Sequence, residues 1–409
     1  MPRNTFRIAI RQFDPFASAI QKQWDSFCEQ SHVDLKLEAI QLDLHPLYET
    51  LFEKHGLKNG DWDVAFINTD WLAHAHQSHA LLNLQSHIQN NPPDDYPQGW
   101  TDSLLRLQTF ENSIIGLPYH DGPQCLIYRK DLFENPAEQA AYQKQYGHPL
   151  QIPKTWNDFV QIAQFFTRPE QNLYGTVFAA YPDGHNTVYD FCIQLWTRGG
   201  ELFDANNCVT LNTPQAIDAL TFYRNILNDP KAIHPKAREF DSVKSGLSFA
   251  NGEIAMMTNW FGFAAMCETI PQSRIKGHIA VADIPHAPNC ASASLNVYWI
   301  LGIGAGSPHA DIAYPFLRHC ASASQDKVLT LEGGIGCRKS TWTNKEVNTQ
   351  IPFYHALEPI HKNAREFPRL TNWAQLSKVI DELVLNTINT HQPVAELTQE
   401  AQHKINHLQ

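Results

Sequence analysis

Four tryptophans stand where strand-like or loop segments meet polar side chains: Trp71 after Asp70, Trp260 after Asn259, then Trp299 and Trp373. An indole stacks on the C–H face of a sugar while Asp, Asn, Gln and Arg bind its hydroxyls, so this pattern is suited to carbohydrate recognition. Packing is the competing use. Trp24, Trp156 and Trp196 fall within helical or core patterns and are assigned to it. A second polar cluster is Tyr119, His120, Asp121 and Gln124, lying around Gly122-Pro123. Gly116 and Pro118 punctuate its approach, and Cys125 to Tyr128 then form an apolar run that predicts a buried strand. A turn, a polar cluster and a buried strand in that order fit a first hinge between two lobes, with the cluster facing a ligand. An ordinary loop entering a core strand has the same pattern, and this segment alone favours it.

Several other patterns suggest chemistry and fail on spacing. There is no Gly-x-Ser-x-Gly elbow and no His-Glu-x-x-His pair. Gly333-Gly-Ile-Gly-Cys-Arg-Lys-Ser has Arg338 where a phosphate loop needs its last glycine. Gly302, Gly304 and Gly306 lack the later spacing of a dinucleotide fingerprint. Of His74, His76 and His79, only 76 and 79 share a helix face, and a solvated surface explains them better than a metal. Cys125, with His120 nearby in sequence, is the best nucleophile candidate; a small buried residue opening a strand is the favoured reading. No metal and no cofactor are expected.

The elements that must position these residues follow from periodicity. Thr5 to Arg11 alternates as a strand, and Phe16 to Gln30 has helical spacing through Ile20, Trp24 and Phe27. Asp34 to Ile40 alternates again, Leu47 to Leu57 predicts a helix ended by Gly56, and Val64 to Ile67 a buried strand. Strand, helix, strand, helix, strand implies right-handed crossovers and a parallel sheet, with ligands beyond the carboxyl ends of the strands. Those ends carry Asp14 after the first strand and Asp70 and Trp71 after the third. Thr155 with Asp158 reads as a near capping box, and Thr213 before Pro214 as a second helix start. Strands are expected at Ile279 to Ile284 and Tyr298 to Ile303, and helices at Ala310 to Ala321, around Leu376 to Ile388 and at the C-terminal end.

At 409 residues two domains are the default. The net charge of −11 argues against nucleic acid or an anionic membrane as partner. Eight cysteines are scattered without a Cys-x-x-Cys pair, which suits isolated buried thiols. The printed N-terminus has no apolar leader, and no run is long enough to span a bilayer.

Over nearly its whole length the chain resembles the bacterial extracellular solute-binding proteins, the family that includes the maltodextrin-binding protein. The resemblance rests on Asp61-Trp-Asp-Val-Ala-Phe, Leu81-Leu-Asn-Leu, Gly116-Leu-Pro-Tyr, Leu126-Ile-Tyr-Arg-Lys-Asp-Leu-Phe and Pro153-Lys-Thr-Trp-Asn-Asp-Phe. It continues through Phe249-Ala-Asn-Gly-Glu-Ile-Ala-Met-Met, Pro308 to Phe316 and the Gly333 motif. It implies an α/β, periplasmic-binding-protein-like fold: two α/β lobes, a ligand cleft and hinge crossovers. The implied N-terminal lobe is 1–118 plus 278–322, and the C-terminal lobe 119–277 plus 323–409. It implies a non-catalytic, monomeric binder of a mono- or oligosaccharide that delivers it to the permease subunits of an ABC importer. The ligand contacts the resemblance implies are Asp70, Trp71, Tyr119, His120, Asp121, Gln124, Asn259, Trp260, Trp299 and Arg338; Asp14, from its place after the first strand, and Trp373, from its polar loop setting, are expected to join them, and Arg338 and Arg369 leave room for an acidic sugar. The resemblance implies a periplasmic or extracellular location; the printed start, if native, implies a cytoplasmic one. Two readings compete with the transport role: a cleft enzyme with Cys125 as nucleophile, similar to thiaminase I, and a leaderless sugar sensor. Val297 and Tyr298 replace the Gly-Gly that often precedes the tryptophan at Trp299.

Overall fold

A computed structural model describes residues 4–367 and 369–408. The chain divides into two compact units. The first comprises 1–122, 296–358 and 366–371; the second comprises 123–295, 359–365 and 372–409. The division falls at Gly122/Pro123, inside the polar cluster. It differs from the expected boundaries chiefly in placing 323–358 with the first unit.

The first unit is built on a five-stranded sheet. Its order is Lys36–Leu42, Thr5–Arg11, Val64–Asn68, Trp299–Ile303 and Leu117–His120. The first three strands are parallel, as the alternating elements predict, and the other two join antiparallel. The first strand places Phe6, Ile8 and Ile10 in the core. Phe6 stacks on Trp24 of the helix Asp14–Ser31, with ring centroids 4.6 Å apart. Trp24 and Phe27 of that helix meet Phe316 of the helix Ala310–Cys320 edge to face. Burying each such ring contributes about 2–3 kcal/mol. Gly116 enters the last strand where a Cβ would lie 2.6 Å from the Leu301 carbonyl oxygen, so only glycine lets these strands approach.

The predicted helix at Leu47 to Leu57 is instead broken. A short α-helix, Leu44–Tyr48, passes into a π-helical turn, Glu49–Glu53, and Gly56 opens a further short helix rather than ending one. A Cβ on Gly56 would lie 2.5 Å from the Thr50 carbonyl oxygen and 2.9 Å from the Trp62 ring, so this glycine answers packing, not helix termination.

The second unit pairs a small antiparallel sheet with helices. The strand Gln124–Arg129 lies between Met256–Trp260 and Ile279–Ala282. Thr155 and Asp158 form the capping box of the helix Trp156–Phe166, and Thr213 caps Pro214–Leu227. The helix Asn186–Trp196 is buried along all its residues and packs with Pro214–Leu227 and Trp373–Asn389. Among the described residues no helix is long and apolar enough to cross a membrane.

Candidate functional site

In the first unit the strand Val64–Asn68 ends in a tight turn. The Asn68 carboxamide oxygen accepts the Asp70 N–H at 2.9 Å, which caps the turn Thr69–Trp71 and fixes where Asp70 and Trp71 leave the sheet. Trp299 opens the neighbouring strand directly opposite Asn68. The two indoles meet edge to face, 5.6 Å apart and at 88°. Trp71 is only 7% exposed and has Tyr48 and Phe52 edge-on around it, whereas Trp299 is half-exposed. Trp299 is therefore the more accessible of the two rings, and Trp71 packs against it. Asp70 is half-buried beside them, and Asp14 is exposed in the first turn of its helix.

In the second unit Gln124 and Trp260 face each other across paired strands. Gln124 is 3% exposed, and its side-chain carbonyl oxygen has no hydrogen-bond partner. Trp260 is half-exposed and meets Tyr189 edge to face at 5.6 Å and 87°. This repeats the first unit's arrangement of one buried ring bracing one open ring. Tyr189 was not identified from sequence, because its helix is buried on every side, its polar residues Asn186, Asp190 and Gln194 included, so no local pattern marks which face meets Trp260. Beside Tyr189, the buried Asp190 accepts the Tyr223 hydroxyl at 2.7 Å. Burial raises its pKa to about 7, with Asp183 pushing the same way.

Several expected contacts are instead buried or bonded to the protein's own groups. Tyr119 is buried and donates its hydroxyl to Gln23 at 2.8 Å. His120 packs edge-on to Phe16, and its Nδ1 accepts the Ile335 N–H at 2.9 Å. Desolvation lowers its pKa to about 4, so the imidazole is neutral at pH 7. Asp121 is buried, and its backbone N–H donates to the Ile335 carbonyl. The Asn259 amide is used at both ends: its oxygen accepts the Trp260 N–H at 2.8 Å, and its nitrogen donates to the Ser242 carbonyl at 3.0 Å. Trp373 is buried at the start of its helix.

Arg338 is the clearest departure. It is 1% exposed, lies 4.4 Å over the Trp100 ring, and donates to the carbonyls of Asp94 and Ala321 and to the Asp95 carboxylate. The loop carrying it is clasped from within: the Asp326 carboxylate accepts the N–H groups of Cys337 at 2.8 Å and Arg338 at 3.2 Å. Gly336 lies so close to Asp326 that a Cβ would fall 2.4 Å from its oxygen. The phosphate-loop lookalike is thus a backbone nest filled by the protein's own carboxylate. We assign Arg338 to the fold.

Cys125 is 1% exposed, and burial pushes its thiol pKa far up, which disfavours the thiolate that a nucleophile requires. Among the described residues no group of His, Cys, Asp and Glu could hold a metal ion.

The model of the family described as bacterial extracellular solute-binding protein matches residues 14–327. A probable ABC transporter-binding protein of Deinococcus radiodurans is 24% identical over 369 residues, 88% of this chain and 82% of its own length. Maltose-bound MalE3 of T. maritima has a TM-score of 0.85 at 22% identity, covering 99% of this chain and 100% of that one. A ribitol-bound ABC transporter solute-binding protein of Agrobacterium radiobacter K84 has a TM-score of 0.86 at 21% identity, covering 99% and 98%. At these identities the structural likeness shows a shared fold.

Proposed function

Because the chain belongs to the family of bacterial extracellular solute-binding proteins, we propose that it is the solute-binding component of an ABC import system and that its solute is a carbohydrate. The observation that carries this reading is the pair of partly exposed indoles, Trp299 and Trp260, each in edge-to-face contact with a buried aromatic ring. A ring held this way offers a fixed flat face to sugar C–H groups at little entropic cost. Polar groups adjoin each ring: Asp70 in the first unit, and the unpartnered oxygen of Gln124 in the second. A buried acceptor lacking a donor favours a hydroxyl-bearing ligand. The relatives that bind maltose and ribitol support a polyhydroxylated solute. No covalent step is needed: the protein binds, and a membrane permease receives.

The test is isothermal calorimetry against mono- and oligosaccharides and sugar alcohols. Saturable binding of at least one is expected, weakened by ~1–3 kcal/mol in Trp260→Ala and in Trp299→Ala, the usual value of a stacked aromatic. Binding of none of them, or affinity unchanged in both variants, overturns the assignment.

A further inference from the structure

The first unit also carries an open depression of about 660 Å³ that shares no residue with its tryptophan face. Leu81 and Ile115 give it a buried apolar lining, and His76, His79, Phe110, Ser113 and Arg369 line it together with Asn83, Glu111 and Asn112. The His76 imidazole lies flat on the Phe110 ring, with centroids 3.8 Å apart and planes 2° from parallel. The Arg369 guanidinium carbon sits 4.5 Å over the same ring, while its Nη1 donates to the Thr109 carbonyl. That hydrogen bond and the ring contact orient a planar fork of N–H donors. Burial lowers the His76 pKa, and the nearby charges of His79 and Arg369 lower it further. Three basic groups therefore crowd one depression on a chain of net charge −11.

His76 is half-buried while His79 and Arg369 are exposed; basic groups crowded together disfavour one another's charge, and an anion among them reverses the sign of the interaction. A second, independent observation points the same way. Ser113 belongs to the lining, and its hydroxyl oxygen is shielded from solvent and has no hydrogen-bond partner. A hydroxyl in that position is a donor awaiting an acceptor. Glu111, at the turn of the hairpin that carries Phe110 and Ser113, is the acidic residue of the lining and opposes an anion.

We propose that this depression is a second ligand site, separate from the tryptophan faces, which takes a small oxyanion: the carboxylate or phosphate group of a compact organic molecule. Arg369 supplies the charge, His79 supplies an exposed imidazole, Ser113 supplies a neutral donor once its hydroxyl rotates toward the ligand, and the stacked His76–Phe110 pair forms a rigid wall.

The test is titration of the full-length protein with inorganic phosphate and, separately, with citrate, followed by the imidazole C–H resonances of His76 and His79 and by calorimetry. Saturable shifts of both histidines with at least one anion are expected. Arg369→Gln should raise the Kd about tenfold or more, the value of one charge-assisted contact, and Glu111→Gln should lower it. His79→Gln, an exposed change, gives the same direction should Arg369→Gln disturb folding. A response to citrate alone identifies a carboxylate site, and a response to phosphate alone a phosphate site. No saturable shift with either anion, or shifts unchanged in Arg369→Gln and His79→Gln, overturns the proposal.

Discussion

Asp190 offers a quantitative check on the second unit. Its carboxyl is buried, accepts the Tyr223 hydroxyl at 2.7 Å and has a pKa raised from 3.8 to about 7, chiefly by desolvation. In the unfolded chain it ionises near its ordinary value. Between those two pH values the folded state binds the proton more tightly, so this group's stabilising contribution is full below pH 4 and is lost as pH rises through about 7. A difference of about three pKa units at 1.36 kcal/mol each amounts to about 4 kcal/mol over the whole window. Asp190→Asn keeps the shape and an oxygen for Tyr223 but cannot ionise. Relative to wild type, the variant should gain about 2–3 kcal/mol of stability between pH 5 and pH 8, since part of the loss has already occurred by pH 5. Urea unfolding of both proteins at each pH measures this. Taking the difference at each pH cancels the other titrating groups that do not touch Asp190. A wild-type-to-variant difference that is the same at pH 5 and pH 8 refutes the reasoning.

Two further outcomes separate fold from function. Arg338→Met should lower stability by ~2–4 kcal/mol, because the carbonyls of Asp94 and Ala321 lose a buried donor; carbohydrate affinity measured by calorimetry on the folded variant should be unchanged, and a selective loss of affinity would return Arg338 to the ligand. Iodoacetamide applied to the native protein at pH 8 should modify the partly exposed Cys208 and Cys290 and leave Cys125 untouched by mass spectrometry; rapid labelling of Cys125 would revive a nucleophilic role.

How much of this was legible in the sequence depends on the range of the interaction that decides each feature. The strand Thr5–Arg11, the Thr155 capping box and the Thr213 cap are set by residues within a few positions of one another, and all three stand where the pattern put them. Trp71 and Trp299 could be suspected of ligand contact one at a time. Their division of labour, one ring buried and one open, depends on strands pairing Asn68 with Trp299 across more than two hundred residues, which no local pattern encodes. Arg338 misled for the same reason. A cation after a glycine-rich turn suits an acidic ligand, and the loop does hold an acidic group, but it is the Asp326 carboxyl, twelve positions earlier on the helix that precedes the loop. Tyr119 and His120 looked like a polar cluster because hydroxyl and imidazole groups were counted without their partners, Gln23 and the Ile335 N–H. Polar residue types mark where hydrogen bonds will be made, and only the fold decides whether the protein or a solute makes them. Gln124, buried with an unpartnered oxygen beside an open indole, is the residue of that cluster for which a solute has the stronger case.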